Sequence, residues 1–279
     1  DNDCDGDVLD GVADDDNDDY FDGPTCGGVD CDDNDPNTYL GAPEICADGI
    51  DEDCDTIVDG PYATMSNLNV SDNGYTSTEP DIAWSGSRYG IVYTDNRAGK
   101  EDVWFGLVNP DSLTVDRVYV TSSATDEQED ARIVYTGSEW AVVWYDGDGG
   151  SNNIMFQKLN QYGSTIGSPS QVTTTGNYCY QPDLAWTGSE FGVVYTIDDT
   201  VNLLIYFHRL TATGARTGTQ VSVSTATGVA STNPVIQWTG STYGIAWQDD
   251  RTGQTNVRFA MLDGDGNSVY TDDALTFCS

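Results

Sequence analysis

One pattern dominates the sequence. The stretch PDLAWTGSEFGVVYT (Pro182–Thr196) returns as PDIAWSGSRYGIVYT (Pro80–Thr94), ARIVYTGSEWAVVWY (Ala131–Tyr145) and PVIQWTGSTYGIAWQ (Pro234–Gln248). Trp84, Tyr135, Trp186 and Trp238 mark the same place in each copy, at intervals of 51, 51 and 52 residues. Self-similarity at this period signals stacked or radially arranged units. Each copy reads as an apolar strand, a Gly-Ser turn and a second strand rich in Val, Ile, Tyr and Trp, the pattern of a β-hairpin.

From Ala63 onward each unit holds four strand candidates. In the third unit they are Asp183–Thr187, Phe191–Thr196, Leu203–Leu210 and Gln220–Ser224. Four antiparallel strands per repeat make a propeller blade. The expected fold is therefore all-β: a four-bladed β-propeller over residues 61–279, preceded by an irregular Asp/Cys-rich segment over 1–60. The repeats resemble bacterial propeller repeats with a W-x-G-x-x-Y-x-V-x-W-x-D-x-R pattern. Arg97 and Arg251 match its last position, which Asp148 and Asp199 occupy in the other two blades.

The segment before the repeats has a different chemistry. It holds 22 of the 47 acidic residues and none of the ten basic ones, within a chain of net charge −37. Such a chain repels nucleic acid and anionic membrane surfaces. The segment is also too poor in aliphatic residues to bury a core. Its carboxylates recur at fixed spacing: Asp14, Asp16, Asp18 and Asp22 match Asp51, Asp53, Asp55 and Asp59, and Asp1, Asp3 and Asp5 begin a third copy. Alternate carboxylates on a coiled loop converge on a hard cation such as Ca²⁺, which takes 6–8 oxygen ligands at roughly 2.4 Å. Tyr20 and Ile57 stand where such loops give a main-chain carbonyl. Asp30, Asp32 and Asn34 form a further cluster. No bidentate Glu closes either loop, so these are not EF-hands. Several Ca²⁺ ions are expected, and copper is disfavoured, because soft metals favour sulfur ligands over carboxylates.

Asp30–Gly60, DCDDNDPNTYLGAPEICADGIDEDCDTIVDG, resembles the MopE-type metal-binding motif of secreted bacterial proteins. DNDCDGD and DDDNDDYFDG are similar to thrombospondin type 3 calcium repeats. Leu40, Ala47 and Thr56 depart from the first motif. The family name carries a copper association, which does not map onto residues here.

Seven cysteines, five of them within the first 54 residues, indicate disulfides and an oxidising compartment. Cys46 and Cys54 flank one turn and are expected to pair, and Cys179 with Cys278 is a further option. No apolar run reaches the ~18 residues needed to cross a bilayer, so no membrane insertion is expected. The chain begins inside an Asp-rich motif, which reads as a processed secreted protein or an excised piece of one. The expected location is extracellular or on a cell surface.

Val70, Val120, Val172, Val223 and Leu275 share one register, giving five outer strands for four sets of the other three. A spare strand can add to a neighbour's sheet, which suggests head-to-tail assembly of copies into an oligomer or filament. His208, the only histidine, lies in an apolar strand and reads as a strand residue rather than a catalyst. The acids of the repeats read as turn and hairpin-loop residues, with no pair placed by any motif. The sequence thus points to a non-enzymatic, calcium-stabilised structural protein of an extracellular filament or surface layer. One alternative is a carbohydrate-binding adhesin that stacks glycans on outward-facing Tyr and Trp. A more distant one is a glycoside hydrolase, which requires paired carboxylates in a central pocket with shifted titration.

Overall fold

A computed structural model describes residues 32, 34–43, 50–54, 67–110, 112–121, 127–147, 152–174, 176–225 and 228–270. The chain divides into two compact units, Asp1–Leu68 and Asn69–Ser279.

The second unit is built of four antiparallel four-stranded sheets, each a blade. Blade 1 comprises β1 (Ser77–Trp84), β2 (Tyr89–Asp95), β3 (Asp102–Asn109) and β4 (Thr114–Tyr119). Blade 2 comprises β5 (Glu127–Tyr135), β6 (Trp140–Gly147), β7 (Asn152–Leu159) and β8 (Thr165–Gln171). Blade 3 comprises β9 (Tyr178–Trp186), β10 (Glu190–Asp198), β11 (Leu203–Thr211) and β12 (Arg216–Ser222). Blade 4 comprises β13 (Ser231–Trp238), β14 (Thr242–Asp249), β15 (Asn256–Asp263) and β16 (Ser268–Tyr270). The four-bladed all-β architecture expected from the repeat is the one observed. No helix among the described residues is long and apolar enough to cross a membrane.

The first hairpin of each blade closes on the Gly of its Thr/Ser-Gly-Ser turn. Gly86, Gly137, Gly188 and Gly240 all sit at φ between 96° and 100°, where an L side chain is strained. In the third blade the Thr187 hydroxyl accepts the Glu190 N–H and donates to the Glu190 carbonyl, fixing the turn.

Three apolar clusters hold the blades together. Phe105, Val92 and Val103 of blade 1 pack on Trp140, Val142 and Trp144 of blade 2. Val143 and Phe156 meet Phe191 and Tyr195 at the next interface, and Val194 and Phe207 meet Tyr243 and Trp247 at the last. Inner strand β1 packs on β5, β5 on β9 and β9 on β13; among the described residues no comparable packing joins β13 to β1.

The observed strands differ from the expected ones in two ways. The inner strand of blade 3 starts at Tyr178 rather than Asp183, because a bulge hides the alternation upstream. The fourth strand runs Arg216–Ser222 rather than Gln220–Ser224, and Val223 follows it as an extension bonded to Ile205. Val70 lies in a bend rather than a strand, with its side chain against Gly106 of blade 1. Val70 is thus not a strand residue, and Val120, Val172 and Val223 likewise sit just past the outer strands of their blades. Cys179 is buried in the blade 2–blade 3 core, and Cys278 lies outside the described residues.

Candidate functional sites at the axis and in the acidic unit

The inner strands carry one irregularity four times over. Glu79, Asp130, Gln181 and Asn233 occupy equivalent places, each with φ between 52° and 55°. At every one the pairing with the second strand slips. Side chains at this place tie blade to blade. The Glu79 carboxylate accepts the Thr94 hydroxyl at 3.1 Å and the Asp130 N–H of the next blade at 3.0 Å. The Gln181 carbonyl oxygen accepts the Thr196 hydroxyl at 3.1 Å and the Asn233 N–H at 2.9 Å.

Two residues further on, the copies diverge: the equivalent positions are Asp81, Arg132, Asp183 and Val235. Asp81 accepts the Ile133 N–H and Asp183 the Ile236 N–H, both at 2.8 Å across a blade interface. Asp183 also accepts the Leu184 N–H. Burial pushes the Asp183 carboxyl up to about 6, and the charge of Asp81 adds to this; the two N–H donors and Arg132 act in the opposite sense.

Immediately after these residues, all four inner strands line one cavity of about 340 Å³. Ile82, Ile133, Leu184 and Ile236 are among its walls, together with the aromatic side chains of Trp84, Tyr135 and Trp186. Each aromatic is braced by the first residue or two of its blade's second strand. The Trp84–Tyr89, Tyr135–Trp140 and Trp186–Phe191 centroids lie 4.5, 4.6 and 4.4 Å apart. Trp84 is 48% exposed.

A separate group of acids lies between blades 1 and 2. One carboxylate oxygen from each of Glu101, Glu127 and Glu129 falls within 4.8 Å of the others. The hydrogen bond to Glu101 pushes the Glu129 carboxyl up to about 8, helped by burial and by the charges of Glu101, Glu79 and Glu127. Lys100 reaches Glu127 at 3.4 Å. Three such oxygens are ligands of the kind a divalent cation takes.

The signature arginines are structural. Arg97 and Arg251 each grip the buried carboxylate two residues earlier, with Nε contacts of 2.8 Å to Asp95 and 2.7 Å to Asp249. Burial alone would raise both acids, but the guanidinium and hydroxyl donors win. Asp95 falls well below the usual carboxylate range and Asp249 falls to about 2. His208 is buried in β11, and burial with the Arg216 charge lowers its pKa, in keeping with a strand residue.

Of the expected metal ligands, Asp32, Asn34, Asp51 and Asp53 lie among the described residues. Asp1, Asp3, Asp5, Asp14, Asp16, Asp18, Tyr20, Asp22, Asp30, Asp55, Ile57 and Asp59 lie outside them. Asp32 opens a tight turn, its carbonyl accepting the N–H groups of Asn34 and Asp35 at 2.7 and 2.8 Å. The Gly41 N–H donates to the Asp53 carbonyl at 3.2 Å. The described members of the expected ligand set, Asp32, Asn34, Asp51 and Asp53, offer carboxylate and amide oxygen. That chemistry fits a hard cation.

Comparison with known proteins agrees with this division. Residues 1–9 and 30–60 match the Cu-binding MopE family model, described as a putative metal-binding motif. The chain carries a metal-binding motif. The match covers the acidic segment only, and the thrombospondin-like reading has no counterpart in it. No curated protein matches the chain. Among solved structures, the subtype N10 neuraminidase-like protein of A/little yellow-shouldered bat/Guatemala/060/2010 is 12% identical. The alignment covers 69% of this chain and 57% of that one, with a TM-score of 0.50. A glycoside hydrolase is 15% identical over 71% of this chain and 49% of its own, with a TM-score of 0.49. The GH43 endo-arabinanase from Bacillus licheniformis is 15% identical over 69% and 77%, with a TM-score of 0.45. The chain spans about half the length of the first two. At these identities the likeness is one of fold.

The expectation of a non-enzymatic chain is corrected. It rested on acids confined to turns, whereas Asp81 and Asp183 lie on inner strands in one axial register. The signal was present in the repeat itself, whose second residue reads Asp, Arg, Asp and Val across the four copies.

Proposed function

We propose that the propeller engages a saccharide at its axis, and that the acidic segment is a Ca²⁺-filled module of the same extracellular or cell-surface protein. The observation that carries the first part is the cavity shared by all four inner strands, with Trp84, Tyr135 and Trp186 along its wall. A pocket that combines flat aromatic faces with a few fixed polar groups suits a ligand with one apolar and one hydroxylated aspect. A pyranose or furanose ring has that character. Asp81, Arg132 and Asp183 each precede a residue of its wall, Ile82, Ile133 and Leu184.

One observation favours hydrolysis as a second reading. Asp183, with its carboxyl at about 6, keeps a proton further toward neutral pH than an ordinary Asp, as a general acid must, and Asp81 is a second carboxylate in the same register. In the acidic segment, Ca²⁺ takes the place of a hydrophobic core, and disulfides, one through Cys54, pin the loops.

Binding to an array of immobilised oligosaccharides, repeated with Trp186→Ala, tests the reading. A hit lost in the variant supports it; an array with no hit, or a hit indifferent to Trp186, counts against it. Turnover of chromogenic glycosides that Asp183→Asn abolishes would select the hydrolase form.

A further inference from the structure

The blades supply their own controls for what a finished interface looks like. In blades 1 to 3 the third strand turns Phe105, Phe156 and Phe207 toward the following blade, and these are 0, 2 and 1% exposed. Each meets an aromatic from that blade. Phe105 faces Trp140, Phe156 faces Phe191 and Phe207 faces Tyr243, with centroids 5.6, 5.0 and 4.9 Å apart. The incoming ring needs a small residue beneath it: a Cβ on Gly90 would stand 2.6 Å from Trp140, and one on Gly192 2.5 Å from Tyr243. The outer edge is sealed by a strand extension. Val120, Val172 and Val223 donate their N–H to the carbonyls of Val103, Ile154 and Ile205. The next hydroxyl, of Thr121, Thr173 or Ser224, accepts the N–H of the same residue.

Blade 4 presents the same socket uncovered. Phe259 is 46% exposed and Val257 is 78% exposed, whereas its counterparts Val103, Ile154 and Ile205 are each 0% exposed. A groove of about 440 Å³ runs over Gly244, Ala246, Val235 and Phe259. Blade 1 presents the matching plug. Tyr89, the counterpart of Trp140, Phe191 and Tyr243, is 39% exposed while those three are each 0% exposed. Val70–Ser71 repeats the pairs Val120–Thr121, Val172–Thr173 and Val223–Ser224. This segment is already seated on blade 1: the Arg117 guanidinium donates to the carbonyls of Asn69 and Val70, and that of Arg97 to Ser71.

We infer that the blade 4 face of one copy receives the blade 1 face of a second copy. Tyr89 enters over Gly244 against Phe259, and Val70–Ser71 seals the edge at Val257. The contact repeats the geometry of the three internal interfaces. It joins different surfaces of the two partners, so it propagates head to tail into rings or filaments. Gly244 lies two strands in from the outer edge of blade 4, so the socket calls for a whole blade. This inference is independent of the saccharide reading.

Sedimentation velocity of the full chain, in Ca²⁺ and at about 0.15 M ionic strength to screen its charge, tests it. Species larger than the monomer are expected to grow with concentration. Val257→Asp and Tyr89→Asp change exposed residues, so each variant should keep its circular dichroism while self-association weakens about tenfold or more. An equimolar mixture holds one intact plug and one intact socket, and should give a 1:1 dimer and nothing larger. Wild-type chain that stays monomeric at all concentrations, association that survives both substitutions, or a mixture that fails to pair would each overturn the inference.

Discussion

The faces between blades and the register along the axis come from the same four sequence copies, yet they behave oppositely. Between blades the copies agree: Phe105, Phe156, Phe207 and Phe259 stand at one position, and aromatic Tyr89, Trp140, Phe191 and Tyr243 at another. At the axis they disagree, with Asp81, Arg132, Asp183 and Val235 in equivalent places. A packing interface imposes the same shape on every copy, because each blade meets the next in the same way. The axial register carries no such shared demand: Asp81 and Asp183 accept main-chain N–H groups of a neighbouring blade, while Val235 lies in the open groove of blade 4. Agreement among the copies therefore maps the scaffold, and divergence marks the positions the scaffold leaves free.

Breaking a repeated face should cost most. Phe207→Ala is expected to destabilise the propeller by about 3–5 kcal/mol in urea unfolding, because Tyr243 and Gly266 close around the ring. Next comes the buried pair at the end of β14. Arg251→Ala leaves buried Asp249 with only the more distant Arg258 guanidinium, at 3.9 Å, and should cost about 3 kcal/mol. The pair's contribution is present above the unfolded carboxylate range and disappears as the pH falls toward 2, where Asp249 takes its proton.

The axis should respond to pH with the other sign and a smaller amplitude. Asp183 binds a proton more tightly folded than unfolded, so its contribution is complete below about pH 4 and is lost as the pH rises through 6. Thermal unfolding followed from pH 4 to 7 should show this slope in the wild type and a flatter one in Asp183→Asn. The smallest effect sharpens the contrast between a covered face and an uncovered one. Phe259→Ala should change the stability of dilute chain by less than about 1 kcal/mol, since its ring is 46% exposed. A cost equal to that of Phe207→Ala would mean that the face is already covered.

The scaffold was legible because it is repeated. Trp84, Tyr135, Trp186 and Trp238 set the period, and the Gly-Ser turns placed the first hairpin of each blade. Strand limits were less legible where φ turns positive at Glu79, Asp130, Gln181 and Asn233, since a bulge breaks the period-2 pattern that marks a strand. Val70 shows the limit of register alone. It has the sequence of an outer strand, and the guanidinium groups of Arg97 and Arg117 hold its segment in a bend. The axial carboxylates were overlooked for a different reason: Asp183 already stood at the head of an expected strand, but that Asp81 shares its axial register shows only once the four inner strands converge. The Glu101, Glu127 and Glu129 group joins a loop to a strand 26 residues away, a proximity that no local motif encodes.

The most direct test of the account is calorimetric titration of an oligosaccharide selected on the array into three forms of the chain: wild type, Trp186→Ala and Phe259→Ala. If the axis is the binding site, Trp186→Ala should weaken binding about tenfold or more while Phe259→Ala leaves it unchanged. Binding that survives the loss of Trp186, or that falls with Phe259, would contradict an axial site and move the ligand to the face of blade 4.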